Sequence, residues 1–202
     1  MKALVIIDVQ NDFIPGGNLA VPHGYEVIPV INELQKKFDL VVATQDWHPE
    51  NHASFVSQHE EHNVFDTIDL NGIEQILWPV HCVQNTEGAE FHKDLHTAKI
   101  EAIFRKGTNP EIDSYSGFYD NAHLKSTGLT GYLKDKGVTE LYFTGLAADF
   151  CVYFSTKDAI REGFKSYLIE DATRAISEED FENAKQDLIN NGGAILKSFE
   201  IS

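Results

Sequence analysis

The chain has 202 residues, a length that suits one domain with a full hydrophobic core. Its 32 acidic and 16 basic side chains give a formal net charge of −16, which argues against nucleic acid and anionic membrane surfaces as partners. No apolar run approaches the ~20 residues that cross a membrane, and two cysteines make no disulfide framework. We therefore expect a cytoplasmic protein that acts on a small molecule.

Predicted strands and helices alternate along the chain. Apolar, often β-branched runs predict strands at 2–8, 40–44, 98–104, 140–144, 166–170 and 194–196. Apolar residues at helical spacing predict helices at 27–38, 129–136, 149–161 and 177–190. This alternation predicts an α/β fold, with a mainly parallel six-stranded sheet covered by helices on both faces in a Rossmann-like three-layer arrangement. Because no linker or repeat interrupts it, we expect a single domain over residues 1–202.

Four polar or reactive side chains follow predicted strands, and they are Asp8, Asp46, Lys106 and Cys151. In a parallel sheet the carboxyl ends of the strands meet at one edge, where α/β proteins bind their ligands. Two long irregular segments, 45–90 and 107–121, start at the same edge, and loops of that length inside a compact domain are usually functional. We therefore expect these four side chains to converge on one site.

Cys151 is the candidate nucleophile. It follows a turn of small residues at the predicted start of a helix, where backbone N–H groups and the helix dipole favour a thiolate. Taken alone, Asp8 could equally be a helix cap or an ion-pair partner, and Lys106 could be a solvated lysine. Together with Cys151 they make a coherent set, since a thiol nucleophile needs a carboxylate base and a cation that stabilises the thiolate.

A second set of residues has the pattern of a metal site. Asp46 and His48 lie two apart on an extended segment and therefore point the same way, while a proline and bulky apolar residues flank His81. One carboxylate and two imidazoles suit Zn²⁺, Fe²⁺ or Mn²⁺. His52 could be a fourth metal ligand, or it could contact the ligands without binding the metal itself. Cys82, next to His81, is interpreted as a buried inert thiol.

Four aromatic residues lie in irregular segments, and they are Phe13, Trp78, Tyr115 and Phe118. Packing in the hydrophobic core is the usual explanation for any one of these residues. Taken together, they could instead form the walls of a pocket for a flat, ring-shaped ligand.

Several of these segments carry a resemblance to a known family. They are Asp8-Val9-Gln10-Asn11-Asp12-Phe13, Thr44-Gln45-Asp46-Trp47-His48-Pro49, Trp78-Pro79-Val80-His81-Cys82, Lys106-Gly107, Tyr115-Ser116-Gly117-Phe118 and residues 145–151. The chain resembles the nicotinamidases of the isochorismatase-like cysteine hydrolases from the first strand to the last helix. The segments with Asp8, Lys106 and Cys151 indicate only the superfamily, whereas those with Asp46 and His81 narrow it to nicotinamidases.

The resemblance implies a role for each matching residue. The implied groups are a catalytic triad of Asp8, Lys106 and Cys151; metal ligands Asp46, His48 and His81; ring-contacting walls Phe13, Trp78 and Tyr115; and an oxyanion hole from the N–H groups of Ala147 and Cys151. It also implies a cis peptide bond between Leu146 and Ala147. Phe150 stands where some relatives carry histidine, which makes one wall of the pocket more apolar.

The implied reaction is hydrolysis of nicotinamide to nicotinate and ammonia through a thioester on Cys151, a step of NAD salvage. One divalent metal, zinc before iron or manganese, would orient the ring. Pyrazinamide-like analogues and a homo-oligomer are left open. The alternatives are another cysteine amidohydrolase of the superfamily, a metal-hydroxide hydrolase in which Cys151 only packs, a non-haem iron oxygenase, and a binding protein without catalysis.

Overall fold

The computed structural model describes residues 1–201. Its strands are Lys2–Ile7 (β1), Leu40–Asp46 (β2), Thr67–Leu70 (β3), Ile73–Ile76 (β4), Ile100–Lys106 (β5), Glu140–Leu146 (β6), Lys165–Arg174 (β7) and Ala194–Leu196 (β8). Its α-helices are Val27–Leu34 (α1), Leu129–Asp135 (α2), Tyr153–Arg161 (α3) and Glu178–Asn190 (α4). The prediction of a single domain over 1–202 stays a prediction, and Ser202 lies outside the described residues.

Six strands form one sheet in the order β5-β2-β1-β6-β7-β8, and every neighbouring pair in it is parallel. β1 lies in the middle, and its side chains are buried alternately on the two faces. Leu4 and Ile6 belong to the core under α1, whereas Val5 and Ile7 belong to the core under α2, α3 and α4. Burial on both faces explains why this strand is apolar at nearly every position. The predicted three-layer α/β fold is confirmed.

The ends of several elements differ from the prediction. β2, β5 and β6 each run two residues further than predicted, so Asp46 and Lys106 are the last residues of their strands. Both side chains are polar but buried, which a pattern of apolar residues cannot detect. β1 in contrast ends one residue early, because Asp8 has a positive φ of 47° that turns the chain out of the strand. The first α-helix ends at Leu34, earlier than the predicted residue 38, and a 3₁₀ turn over Gln35–Lys37 follows it.

A two-stranded antiparallel hairpin of β3 and β4 lies within the segment that was predicted to be irregular. Most of its side chains are exposed or half-buried, so it has no apolar face that would mark it in the sequence. Gln75 is the exception, because it is buried against the loop that follows β5. Among residues 1–201 no helix is long and apolar enough to cross a membrane, and α4 has 13 residues.

Candidate active site

The carboxyl ends of β1, β5 and β6 bring together the three residues predicted as a catalytic triad. Lys106 Nζ lies 3.0 Å from Asp8 Oδ2 and 3.4 Å from Cys151 Sγ. The side chains of Asp8 and Lys106 are fully buried, and Cys151 is 7% exposed. The hydroxyl of Thr44 donates to Asp8 Oδ1 at 2.6 Å and fixes the other oxygen of the carboxylate. A thiol, a carboxylate and an ammonium group therefore meet in a space shielded from water.

Burial and charge set the protonation states of this group. Burial alone would lower the pKa of Lys106, but the carboxylates of Asp46 and Asp8 outweigh it and hold that pKa well above its usual value. Burial raises the pKa of Asp8, and Lys106 opposes this only in part. Burial also raises the pKa of the Cys151 thiol well above its usual value, against the opposing effect of Lys106. The resting sulfur is therefore a thiol that needs a base.

This corrects the expectation of a thiolate at a helix N-terminus. Cys151 lies inside a π-helical turn, Ala148–Val152, and the regular helix α3 begins two residues later. The sulfur is also buried, and burial together with the nearby carboxylates disfavours the thiolate and raises the pKa of the thiol despite the charge of Lys106.

The backbone before Cys151 makes a close turn against β1. Gly145 has a φ of +107°, and a Cβ there would lie 2.0 Å from the carbonyl oxygen of Ile7, so no other residue fits. One residue further on, the peptide bond between Leu146 and Ala147 is cis, as the resemblance implies. This turn presents Ala147 and Cys151 to the same pocket.

The residues predicted as metal ligands form a buried cluster beside the triad. Nε2 of His48 and Nε2 of His81 lie 3.3 Å and 3.7 Å from Asp46 Oδ2. The Nδ1 atoms of the two rings face the carbonyl oxygens of Gly107 and Pro79, at 3.0 Å and 2.8 Å. When each Nδ1 carries the proton and donates to its carbonyl, each Nε2 is left with a lone pair, which is the tautomer of a metal ligand.

The cluster fits a divalent metal. His48 Nε2 is buried without a hydrogen-bond partner among the described residues, which is costly unless something else binds it. The ligand atoms of Asp46, His48 and His81 lie within 4.8 Å of one another. One carboxylate oxygen and two imidazole nitrogens are a donor set that Zn²⁺, Fe²⁺ and Mn²⁺ accept.

Asp46 joins the metal cluster to the triad. Its Oδ1 accepts a hydrogen bond from Lys106 Nζ at 2.8 Å, while its Oδ2 faces His48 and His81. Lys106 also donates to the carbonyl of Ser114 at 2.9 Å. With the bond to Cys151 Sγ, all three N–H groups of the ammonium have acceptors, and the contact with Asp8 Oδ2 is an additional ion pair.

Two further residues lie beside the metal cluster. The ring of His52 is 4.4 Å from that of His48, and its Nε2 is also buried without a partner in the described chain. Asp113 is buried within reach of both imidazoles and lines the pocket. Sequence reasoning left His52 open and missed Asp113. The signal for Asp113 was weak, since it is one acidic residue in an irregular segment, two positions before Tyr115.

The pocket in front of Cys151 has aromatic walls. Phe13, Trp78 and Tyr115 all line it, and so does Phe150. Trp78 meets Phe150 edge to face at 4.9 Å, and its Nε1 donates to the Tyr115 hydroxyl at 3.3 Å. Phe118 is instead fully buried in the core among Phe143 and Phe164, so core packing is its role. His81 also lines the pocket, so the metal cluster opens into it.

Cys82 lies outside the pocket lining. It is fully buried, and burial raises the pKa of its thiol well above the usual value. Its sulfur contacts the carbonyl oxygen of Gly88 at 4.0 Å. These contacts favour the interpretation of Cys82 as a packed, unreactive thiol.

Comparison with known proteins defines the class. The isochorismatase domain model matches residues 2–199, and the chain belongs to the isochorismatase family. A nicotinamidase from Acinetobacter baylyi is 48% identical over 200 residues, which cover 98% of this chain and 94% of that protein. The predicted resemblance to nicotinamidases is confirmed.

Solved structures agree with this assignment. An Acinetobacter baumanii nicotinamidase and pyrazinamidase has a TM-score of 0.97 and 46% identity, with coverage of 100% of this chain and 98% of that one. Pyrazinamidase of Pyrococcus horikoshii, solved in complex with zinc, has a TM-score of 0.80 and 40% identity, with coverage of 97% and 98%.

Proposed function

We propose that this chain is an amide hydrolase that converts nicotinamide to nicotinate and ammonia, with Cys151 as the nucleophile. The observation that carries the proposal is the contact of Lys106 with both Asp8 and Cys151, next to a cluster of metal-ligating atoms that opens into the same aromatic pocket. Relatives with this family's domain and high identity are nicotinamidases. This reaction is a step that returns nicotinamide to NAD synthesis.

The first half of the reaction forms a thioester. Asp8 takes the proton of the Cys151 thiol, and the raised pKa of Asp8 makes its carboxylate a stronger base for this transfer. The Cys151 sulfur attacks the carboxamide carbon, and the carbonyl π electrons move to oxygen. Lys106 stays protonated and stabilises the negative charge as it passes from Asp8 to the sulfur. Asp8 then gives its proton to the amide nitrogen, and ammonia leaves.

The second half of the reaction uses the same groups. Asp8 removes a proton from water, whose oxygen attacks the thioester carbon. When this tetrahedral intermediate collapses, the C–S bond breaks and the sulfur takes the proton back from Asp8. In both halves we assign the oxyanion to the backbone N–H groups of Ala147 and Cys151. Loss of one such donor typically lowers kcat about 10²–10³-fold.

The pocket accounts for the choice of a flat aromatic amide. We assign contact with the substrate ring to Phe13, Trp78 and Tyr115, with Phe150 as a further apolar wall. Asp46, His48 and His81 would hold a divalent metal, for which we favour zinc on the donor set. When bound, the metal supplies a Lewis-acid position for the nitrogen of a pyridine ring. Pyrazinamide-like amides share that ring nitrogen and are the related substrates that we expect.

Ammonia release from nicotinamide tests the proposal. The metal-loaded protein is assayed with and without chelator, beside Cys151→Ala. We expect near-total loss of turnover in Cys151→Ala, with metal still bound. A variant that kept most of its turnover would favour a metal-hydroxide hydrolase instead, and a wild-type protein that releases no ammonia from any amide would contradict the enzyme assignment. The oligomeric state stays open and the cytoplasmic location stays a prediction; light scattering tests the first and cell fractionation the second.

A further inference from the structure

Gln10 holds the backbone of Asp46. Its side chain is fully buried, and its Nε2 donates to the carbonyl oxygens of Asp46 and Ala89, both at 2.8 Å. Its Oε1 accepts from the N–H of Asp46, also at 2.8 Å. Both amide hydrogens meet carbonyl oxygens and the amide oxygen meets an N–H, so only one orientation of the amide satisfies all three bonds.

The position of Gln10 follows from where β1 ends. The parallel pairing of β1 with β2 reaches Ala43, so the backbone of Asp46 lies beyond the last residue of its neighbour. Asp8 turns the chain with its positive φ, and Gln10 N donates back to the Asp8 carbonyl at 2.8 Å. This turn directs the Gln10 amide into the gap beyond β1. There the side chain takes the place of a peptide unit and satisfies backbone groups that would otherwise be buried and unpaired.

We propose that Gln10 is a positioning residue that sets the Asp46 carboxylate between Lys106 and the two imidazoles. The Asp46 carboxylate meets Lys106 with one oxygen and faces His48 and His81 with the other. A shift of the Asp46 backbone therefore disturbs the metal cluster and the triad at once. The expected effect on turnover rests on the proposed function, whereas the expected effect on metal binding rests on the geometry of the cluster.

Gln45 provides a matched control. It is also buried, and its Nε2 donates to the same Ala89 carbonyl at 2.9 Å. Its Oε1, however, accepts from Arg105 Nε rather than from the backbone of Asp46. Gln10→Met and Gln45→Met each replace a glutamine by an apolar side chain of similar size, and each removes one hydrogen bond to the Ala89 carbonyl. Only Gln10→Met also removes the two hydrogen bonds to the backbone of Asp46.

The test measures Co²⁺ binding by titration, together with the visible absorption of bound Co²⁺, which reports its coordination geometry. We expect Gln10→Met to weaken Co²⁺ binding about 10–100-fold, as is typical when a partner behind a metal ligand is lost, and to change the spectrum. Gln45→Met should bind Co²⁺ with the wild-type affinity and spectrum. With saturating metal and nicotinamide, Gln10→Met should lower kcat, because the contact of Asp46 with Lys106 is also disturbed.

Wild-type Co²⁺ affinity and spectrum in Gln10→Met would overturn the proposal, and so would equal losses in both variants, which would assign the effect to the turn around Ala89. Thermal unfolding establishes that each variant is folded. If Gln10→Met does not fold, Gln10→Glu keeps the acceptor oxygen, removes both donors and carries the same expectation. A wild-type protein without ammonia release but with this pattern of Co²⁺ binding would contradict the proposed function and leave the role of Gln10 standing.

Discussion

Gly107→Ala is a sharp test of the metal cluster, because Gly107 touches His48. Its carbonyl faces His48 Nδ1 at 3.0 Å, and its φ is +63°. A Cβ there would lie 2.3 Å from His48 Cε1, whereas ordinary van der Waals contact begins at 3.4 Å. The imidazole or the loop must therefore move by about 1 Å, and a misplacement of about 1 Å lowers the rate of an enzyme by as much as about 10²-fold.

The substitution also strains the backbone, and Gly137→Ala isolates that effect. A positive φ costs an alanine roughly 1–2 kcal/mol. Gly137 has a φ of +71°, and a Cβ there would meet nothing within 4 Å among the described residues. Both variants should lose about this much stability in chemical denaturation, and Gly107→Ala should lose more because its Cβ also clashes with His48.

Only Gly107→Ala should lose metal affinity, measured by equilibrium dialysis with Zn²⁺, together with about 10²-fold in kcat/KM for ammonia release. If Gly107→Ala kept the metal affinity and turnover of Gly137→Ala, the reasoning that His48 must stay in place would be refuted.

Two further substitutions test the interior of the site. Lys106→Met leaves the buried carboxylates of Asp8 and Asp46 without their shared cation, so we expect loss of ammonia release and a destabilisation of roughly 3–5 kcal/mol, measured by denaturant unfolding. An unchanged unfolding midpoint would contradict the assigned charges. Cys82→Ser should keep kcat near the wild-type value, because the Cys82 sulfur lies outside the pocket lining, and a large fall in kcat would show that Cys82 takes part in the reaction.

Sequence patterns predicted the sheet because its central strands, β1 and β2, are buried on both faces. β1 is almost continuously apolar and so are the first four residues of β2, so these runs reveal where the strands lie, although the polar last residues of β2 cannot be read from them. In a parallel sheet these ends also determine where side chains meet, so the convergence of Asp8, Lys106 and Cys151 followed from the strand pattern alone. Their chemistry was harder to predict, because the thiol pKa depends on burial, which depends on packing from distant parts of the chain.

The residues that sequence reasoning missed act through contacts far apart in the chain. Gln10 binds Asp46 across 36 residues, and Gln75 donates to Asp113 across 38. A single uncharged glutamine contributes to no periodic or charge pattern in the sequence, so nothing there indicates its distant hydrogen-bond partner. The hairpin of β3 and β4 was missed for a related reason, since its mostly exposed strands have no apolar face that would distinguish them from a loop.

Under the proposed function, that hairpin separates selection of the substrate from its chemistry. Gln75 on β4 and Trp78 just after it both donate to the Tyr115 hydroxyl, at 3.2 Å and 3.3 Å, and so fix the orientation of one wall. Asp8 and Lys106, in contrast, lie at the ends of strands of the main sheet. Mutations in the hairpin can therefore reshape the pocket while the reacting groups keep their places. Such an arrangement lets a family diverge in substrate on an unchanged catalytic framework.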